Sequence, residues 1–221
     1  MPRKLFDREL TDLMEQMTDL GNTVDGRIEK TLEALRTQDR ELAEEVANSD
    51  RAIDEREHMI EKMCLNLLAL QQPIAGDLRM IAGCLKILTD MERVADQCAD
   101  ICEIVASEGL NGNSMTLSHV VKMLEAARSM YRGSLDVLLS RDMDTASRIC
   151  REDDEVDAMF SRIVLEVCGG IAERPQSVML DVDIIFIAKY IERVADHATN
   201  IAEWVIYMVT GNHPDLNAKV M

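Results

Sequence analysis

Glu92-Arg93-Val94-Ala95-Asp96 occurs again 100 residues later as Glu192-Arg193-Val194-Ala195-Asp196. In each copy the glutamate and the aspartate are four residues apart, which on a helix stacks one carboxylate a turn above the other. Like charges at that spacing repel, so a duplicated arrangement of this kind points to a positive group between them. Each residue advances about 100° around a helix, which puts Asp96 about 40° and Glu103 about 20° from Glu92. Leu85 and Ile81 fall within about 20° of the same line. The acids thus continue a stripe that begins apolar. Glu192, Asp196 and Glu203 align in the same way with Ile185. Carboxylates beside a core stripe are costly unless they are paired or bind metal.

Two further acid pairs have the same i, i+4 spacing: Asp50 with Asp54, and Asp153 with Asp157. On antiparallel neighbouring helices they are expected to approach Glu92/Asp96 and Glu192/Asp196. A ligand set made of oxygens suits hard cations such as magnesium, calcium or manganese, and iron where water or imidazole joins. His197 is the only imidazole beside a motif; Gln97 holds the matching place in the first copy. The competing reading is structural. Arg93 and Arg193 adjoin the motifs and Lys189 lies one turn before Arg193, so salt bridges alone could satisfy these acids. His197 by itself reads more simply as a hydrogen-bonded edge residue, and Cys98 and Cys102 as core.

The elements that must position these residues follow from apolar periodicity. Leu10, Leu13, Met17, Leu20, Val24, Ile28, Leu32 and Leu35 recur every three or four positions, which predicts a helix from Leu5 to Arg36. Gly21 and Gly26 lie inside it. Asp39 is placed to cap a second helix carrying Leu42, Val46, Ile53, Ile60, Met63 and Leu67. That helix ends at Gln72-Pro73, because proline disfavours helical geometry in the residue before it. A third runs from about Ile74 through the first motif to about Ser107, and residues 108–114 read as a linker. The pattern then repeats: Thr116 to Leu139, a helix from about Asp142 broken at Arg174-Pro175, and Ser177 to Val209 with the second motif. Asp39 and Asp142, Asp50 and Asp153, and Asp54 and Asp157 share one offset. The expected fold is all-α: six long helices forming two tandem, similar three-helix bundles by internal duplication, residues 1–108 and 114–221.

Composition restricts the function classes. The chain has 221 residues, 47% hydrophobic but 3% aromatic, a mix that favours helices over a β-sandwich. A formal charge of −17 argues against nucleic acid and against an anionic membrane surface, and suits cations and basic partners. The six cysteines form no CxxC pair and read as buried free thiols in a reducing compartment. No signal peptide or spanning segment is visible, so the expectation is a soluble cytoplasmic protein that meets a membrane only through partners. No glycine-rich phosphate loop, nucleophile motif or basic phosphate pocket is evident, which predicts neither an enzyme nor direct phosphate binding through side chains.

The stretch Leu85 to Asp96, the stretch Lys189 to Glu203 and Asp77-Leu78-Arg79 after Pro73 resemble the PhoU family, as does the duplicated layout over essentially the whole chain. The second motif is the closer match. The first continues Asp96-Gln97-Cys98-Ala99-Asp100-Ile101 where the family has an Asp-His-Ala pattern. The resemblance implies two similar three-helix bundles whose acidic motifs bind iron, zinc, manganese or magnesium. It makes Glu92, Asp96, Glu192 and Asp196 the expected ligands, with Asp50, Asp54, Asp153, Asp157, Asp100 and His197 behind them. It further implies a cytoplasmic negative regulator of the phosphate-starvation response, acting between the ATPase subunit of the phosphate ABC transporter and a PAS-containing sensor histidine kinase. A homodimer through apolar bundle surfaces is also expected. Two rival readings are a carboxylate-bridged oxidase or storage protein of ferritin-like type and a passive helical scaffold. The first wants a Glu-x-x-His that the motif helices lack.

Overall fold

The structure, a computed structural model, describes residues 2–49, 51–108, 114–171 and 178–212. These form α1 (Pro2–Thr37), α2 (Arg40–Ala47), α3 (Arg51–Gln71), α4 (Ala75–Glu108), α5 (Ser114–Ser140), α6 (Met143–Ile171) and α7 (Val178–Thr210). No strand occurs among the described residues. Five of the six expected helices are continuous. The second is divided: Asn48 caps the C-terminus of α2 by donating its backbone N–H to the carbonyls of Glu44 and Val46, and the chain restarts at Arg51. The apolar period carries across this break, because Val46 and Ile53 are both buried. The break at Pro73 stands where it is expected, between α3 and α4. The linker residues 109–113, Arg174-Pro175 and Asp50 lie outside the described residues.

The duplication extends to the helix ends. Gln38 (φ 57°) and Arg141 (φ 57°) both take the left-handed conformation, and each is followed by a capping aspartate. The carboxylate of Asp39 accepts the Leu42 N–H at 3.1 Å. Asp142 accepts from the Thr145 hydroxyl at 2.7 Å and the Asp144 N–H at 3.1 Å, and these bonds hold its pKa below the usual value, the Thr145 bond foremost.

Helices α1, α2 and α3 pack on α4, and α5 and α6 pack on α7. The two motif helices, α4 and α7, make the most extensive contact in the molecule, and α1 packs on α5 beside them. One continuous core results, with every residue of the α1 stripe buried. Close approach of the two halves depends on small residues. A Cβ on Gly21 of α1 would lie 2.6 Å from a methyl of Leu135 on α5, and a Cβ on Gly83 of α4 would strike Met208 of α7. Beside Gly21, Arg128 of α5 donates to both oxygens of Asp25 on α1, at 2.8 and 3.0 Å. These bonds, with Glu29, hold the Arg128 guanidinium more firmly in its charged form.

Candidate functional site

Each motif lies mid-helix, with buried residues before and after it. On α4, Ile81 is buried, Leu85 is partly buried, Glu92 and Asp96 are half-buried, and Glu103 is exposed. A straight stripe on a helix drifts around its axis, which carries these acids from core to rim. The second copy stays deeper: Glu203 is buried whereas Glu103 is not.

Acids of neighbouring helices act on one another in two places, Asp54 and Glu57 of α3 with Glu92 of α4, and Asp153 and Asp157 of α6 with Asp196 of α7. In the first, burial raises the pKa of Glu92, and Asp96 of α4 and Glu57 and Asp54 of α3 push it further, against the pull of Arg93. Glu57 is itself raised by burial and by Glu61 and Asp54, with His58 opposing. In the second, burial and the charges of Asp196, Asp157 and Asp154 push Asp153 up to about 6, while the buried Thr199 hydroxyl beside it works the other way. Asp196 is raised by burial and by Asp157, with Lys189, His197 and Arg193 opposing. Burial is the largest cause of each shift, and the neighbouring carboxylates add to it.

The cations nearest the motifs are their own. Arg93 donates to Asp96 at 3.0 Å and lies 3.6 Å from Glu92. In the second copy that task moves to Lys189, which pairs with Glu192 and stands over the ring of Phe160, 5.5 Å from its centre. The place matching Lys189 in the first copy is Thr89. Among the described residues no three His, Cys, Asp or Glu side chains stand close enough together to hold a metal ion. The donors present are nonetheless oxygens in an electron-rich, half-buried setting, which is the chemistry a hard cation requires.

His197 has a second role besides lying near Asp196. Its Nδ1 is 2.9 Å from Asp90 Oδ1 on α4, and Asn200 Nδ2 donates to the same oxygen at 3.1 Å. These bonds join the two halves at the α4–α7 seam. The matching Gln97 is buried with its side-chain oxygen unbonded. Asp100 is half-buried one turn beyond Asp96. Sequence reasoning missed Glu57 and Glu61. With Asp54 they follow i, i+3, i+7 spacing on one face of α3, a pattern that could have revealed them.

A family model described as the PhoU domain matches residues 17–105 and again 120–205. The chain belongs to the PhoU family. A phosphate-specific transport system accessory protein PhoU homolog of Clostridium acetobutylicum is 36% identical over 220 residues, covering 98% of this chain and all of that one. A homolog of the same description from Aquifex aeolicus is 36% identical over 208 residues, 94% of each chain. The crystal structure of the phosphate transport system regulatory protein PhoU from Streptococcus pneumoniae superposes with a TM-score of 0.89 at 30% identity, covering 95% of this chain and 99% of that one. PhoU from Pseudomonas aeruginosa superposes at 0.87 with 28% identity, covering 94% and 100%. The acids of both clusters therefore lie within the matched PhoU repeats. No described helix is long and apolar enough to cross a membrane.

Proposed function

We propose that this chain is a regulator of phosphate transport and of the phosphate-starvation response. It acts as a cytoplasmic helical adaptor that damps the phosphate ABC transporter through its ATPase subunit and holds a PAS-containing sensor histidine kinase in check. The observation that carries this reading is the match over both repeats to full-length relatives named as phosphate transport accessory proteins. The net charge of −17 and the two groups of neighbouring acids support docking to basic partner surfaces. The adaptor reading needs no catalytic residue.

Metal ions belong to the same reading. Glu92, Asp96, Asp54 and Glu57 would supply one donor set, and Asp153, Asp157, Asp196 and Glu192 the other. A cation would neutralise the mutual repulsion of these carboxylates. To make room for it, Arg93 must release Asp96 and Lys189 must release Glu192. The two sites differ in counter-ion and in depth, so they should differ in affinity.

The test of the adaptor role is recovery of tagged full-length chain from phosphate-replete cells. Co-recovery of the transporter ATPase or of the sensor kinase is expected. Recovery of neither, from replete and starved cells alike, would contradict the reading.

A further inference from the structure

A group of basic side chains lies between α5 and α6, on residues that take no part in either acid cluster. A small pocket of about 130 Å³ between α5 and α6 is lined by His119, Lys122, Met159, Arg162 and Ile163. His119 and Lys122 are three apart on α5, and Met159, Arg162 and Ile163 share one face of α6, so the helical repeat sets each group on one side of its helix, at the rim of the same pocket. Among the described residues no acid lines this pocket, and the acid nearest to it is Glu166, which bonds the lining His119. That is unusual in a chain with 41 acidic and 24 basic residues. The larger cleft bounded by Arg128, Arg132 and Arg148 shows the ordinary case, because Glu125, Asp136 and Glu152 line it as well. Of the groups in the small pocket, only His119 has an acid partner: its Nδ1 is 2.8 Å from Glu166, which fixes the ring as a wall. Lys122 and Arg162 are exposed and make no ion pair with another described residue. Met159 and the buried Ile163 give the pocket an apolar floor, which reduces the screening of the charges above it.

We propose that this pocket binds a small inorganic oxyanion of the phosphate class, held by Lys122 and by the guanidinium fork of Arg162. A planar guanidinium beside a compact ammonium is a pairing suited to a tetrahedral anion, the first by two parallel hydrogen bonds and the second as a point charge. Such a site would depart from the expectation that the chain has no basic phosphate pocket. It escaped the sequence because its residues lie on two helices and match no phosphate motif. The proposal does not rest on the adaptor reading: a chain that recovers neither partner would still bind the anion.

The test is isothermal titration of inorganic phosphate into chelator-treated full-length chain at constant ionic strength. Removing metal separates this pocket from any ion held at the acid clusters. Binding of one phosphate per chain is expected. Lys122→Ala and Arg162→Ala should each weaken it by roughly tenfold or more, the loss of one charge-assisted bond. Arg148→Ala in the mixed-charge cleft should leave it unchanged. Both pocket residues are exposed, so unaltered melting temperatures will show that the variants fold. Absence of binding to the metal-free chain, or equal binding by Lys122→Ala and Arg162→Ala, would overturn the proposal.

Discussion

Asp153 carries a cost that can be measured. Its pKa moves from an ordinary 3.8 to about 6 because of burial and three neighbouring acids. Between those values the folded chain keeps a proton that the unfolded chain has shed, so stability falls as pH rises through that window. In metal-free protein, Asp153→Asn should therefore stabilise the fold at pH 7 by on the order of 1–3 kcal/mol, with the gain fading below about pH 4. Urea unfolding at the two pH values checks this; a variant less stable than the parent at pH 7 would show that the ionised carboxylate is already compensated. Cysteine reactivity is a second test at this scale. Cys64, Cys84, Cys98 and Cys102 are buried, Cys150 is partly so, and burial pushes the Cys64, Cys84 and Cys150 thiols up to about 12. Cys168 is exposed, contrary to the expectation that all six are buried. It directly follows the buried Val167, and one step around a helix is enough to turn a side chain from core to solvent. A disulfide reagent should find one fast thiol per native chain, and Cys168→Ser should remove it.

At the scale of elements, two glycines of α1 differ in what surrounds them. Nothing lies within 4 Å of a Cβ on Gly26, whereas one on Gly21 meets Leu135. Gly26→Ala should stabilise by about 0.5–1 kcal/mol through helix propensity alone. Gly21→Val should destabilise by about 1–3 kcal/mol by forcing α1 and α5 apart. Thermal melts of the two variants should move in opposite directions. The helices themselves were legible because their stops are chemical: Asp39 and Asp142 as caps, Pro73 as a breaker. The interruption at Asn48–Ser49 was not, since the apolar period runs through it without a change of phase. Gly21 reads as a weakness in a helix until α5 is known to lie against it. That contact is between halves, and a pattern confined to one helix does not report it.

At the scale of the molecule, α4 and α7 bring the repeats together, and the Asp90–His197–Asn200 contact is part of their seam. Asp90 is buried, so Asp90→Ala should cost about 1–3 kcal/mol by leaving His197 and Asn200 without their acceptor; equal unfolding midpoints for variant and parent would contradict that. The candidate site was legible to the extent that its periodicity was. Equal spacing pointed to the helix pairs α3–α4 and α6–α7, and the apolar stripe to partly buried acids at Glu92, Asp96, Glu192 and Asp196. The exchange of Arg93 for Lys189 as counter-ion needed coordinates, because it depends on which rotamer reaches which carboxylate. On the function proposed above, the two acid clusters are separate cation sites. Manganese titrated calorimetrically into metal-free protein at neutral pH tests it most directly. Two binding events are predicted, one lost in Glu92→Gln/Asp96→Asn and the other in Asp153→Asn/Asp196→Asn. No binding, or binding that survives both double substitutions, would contradict it.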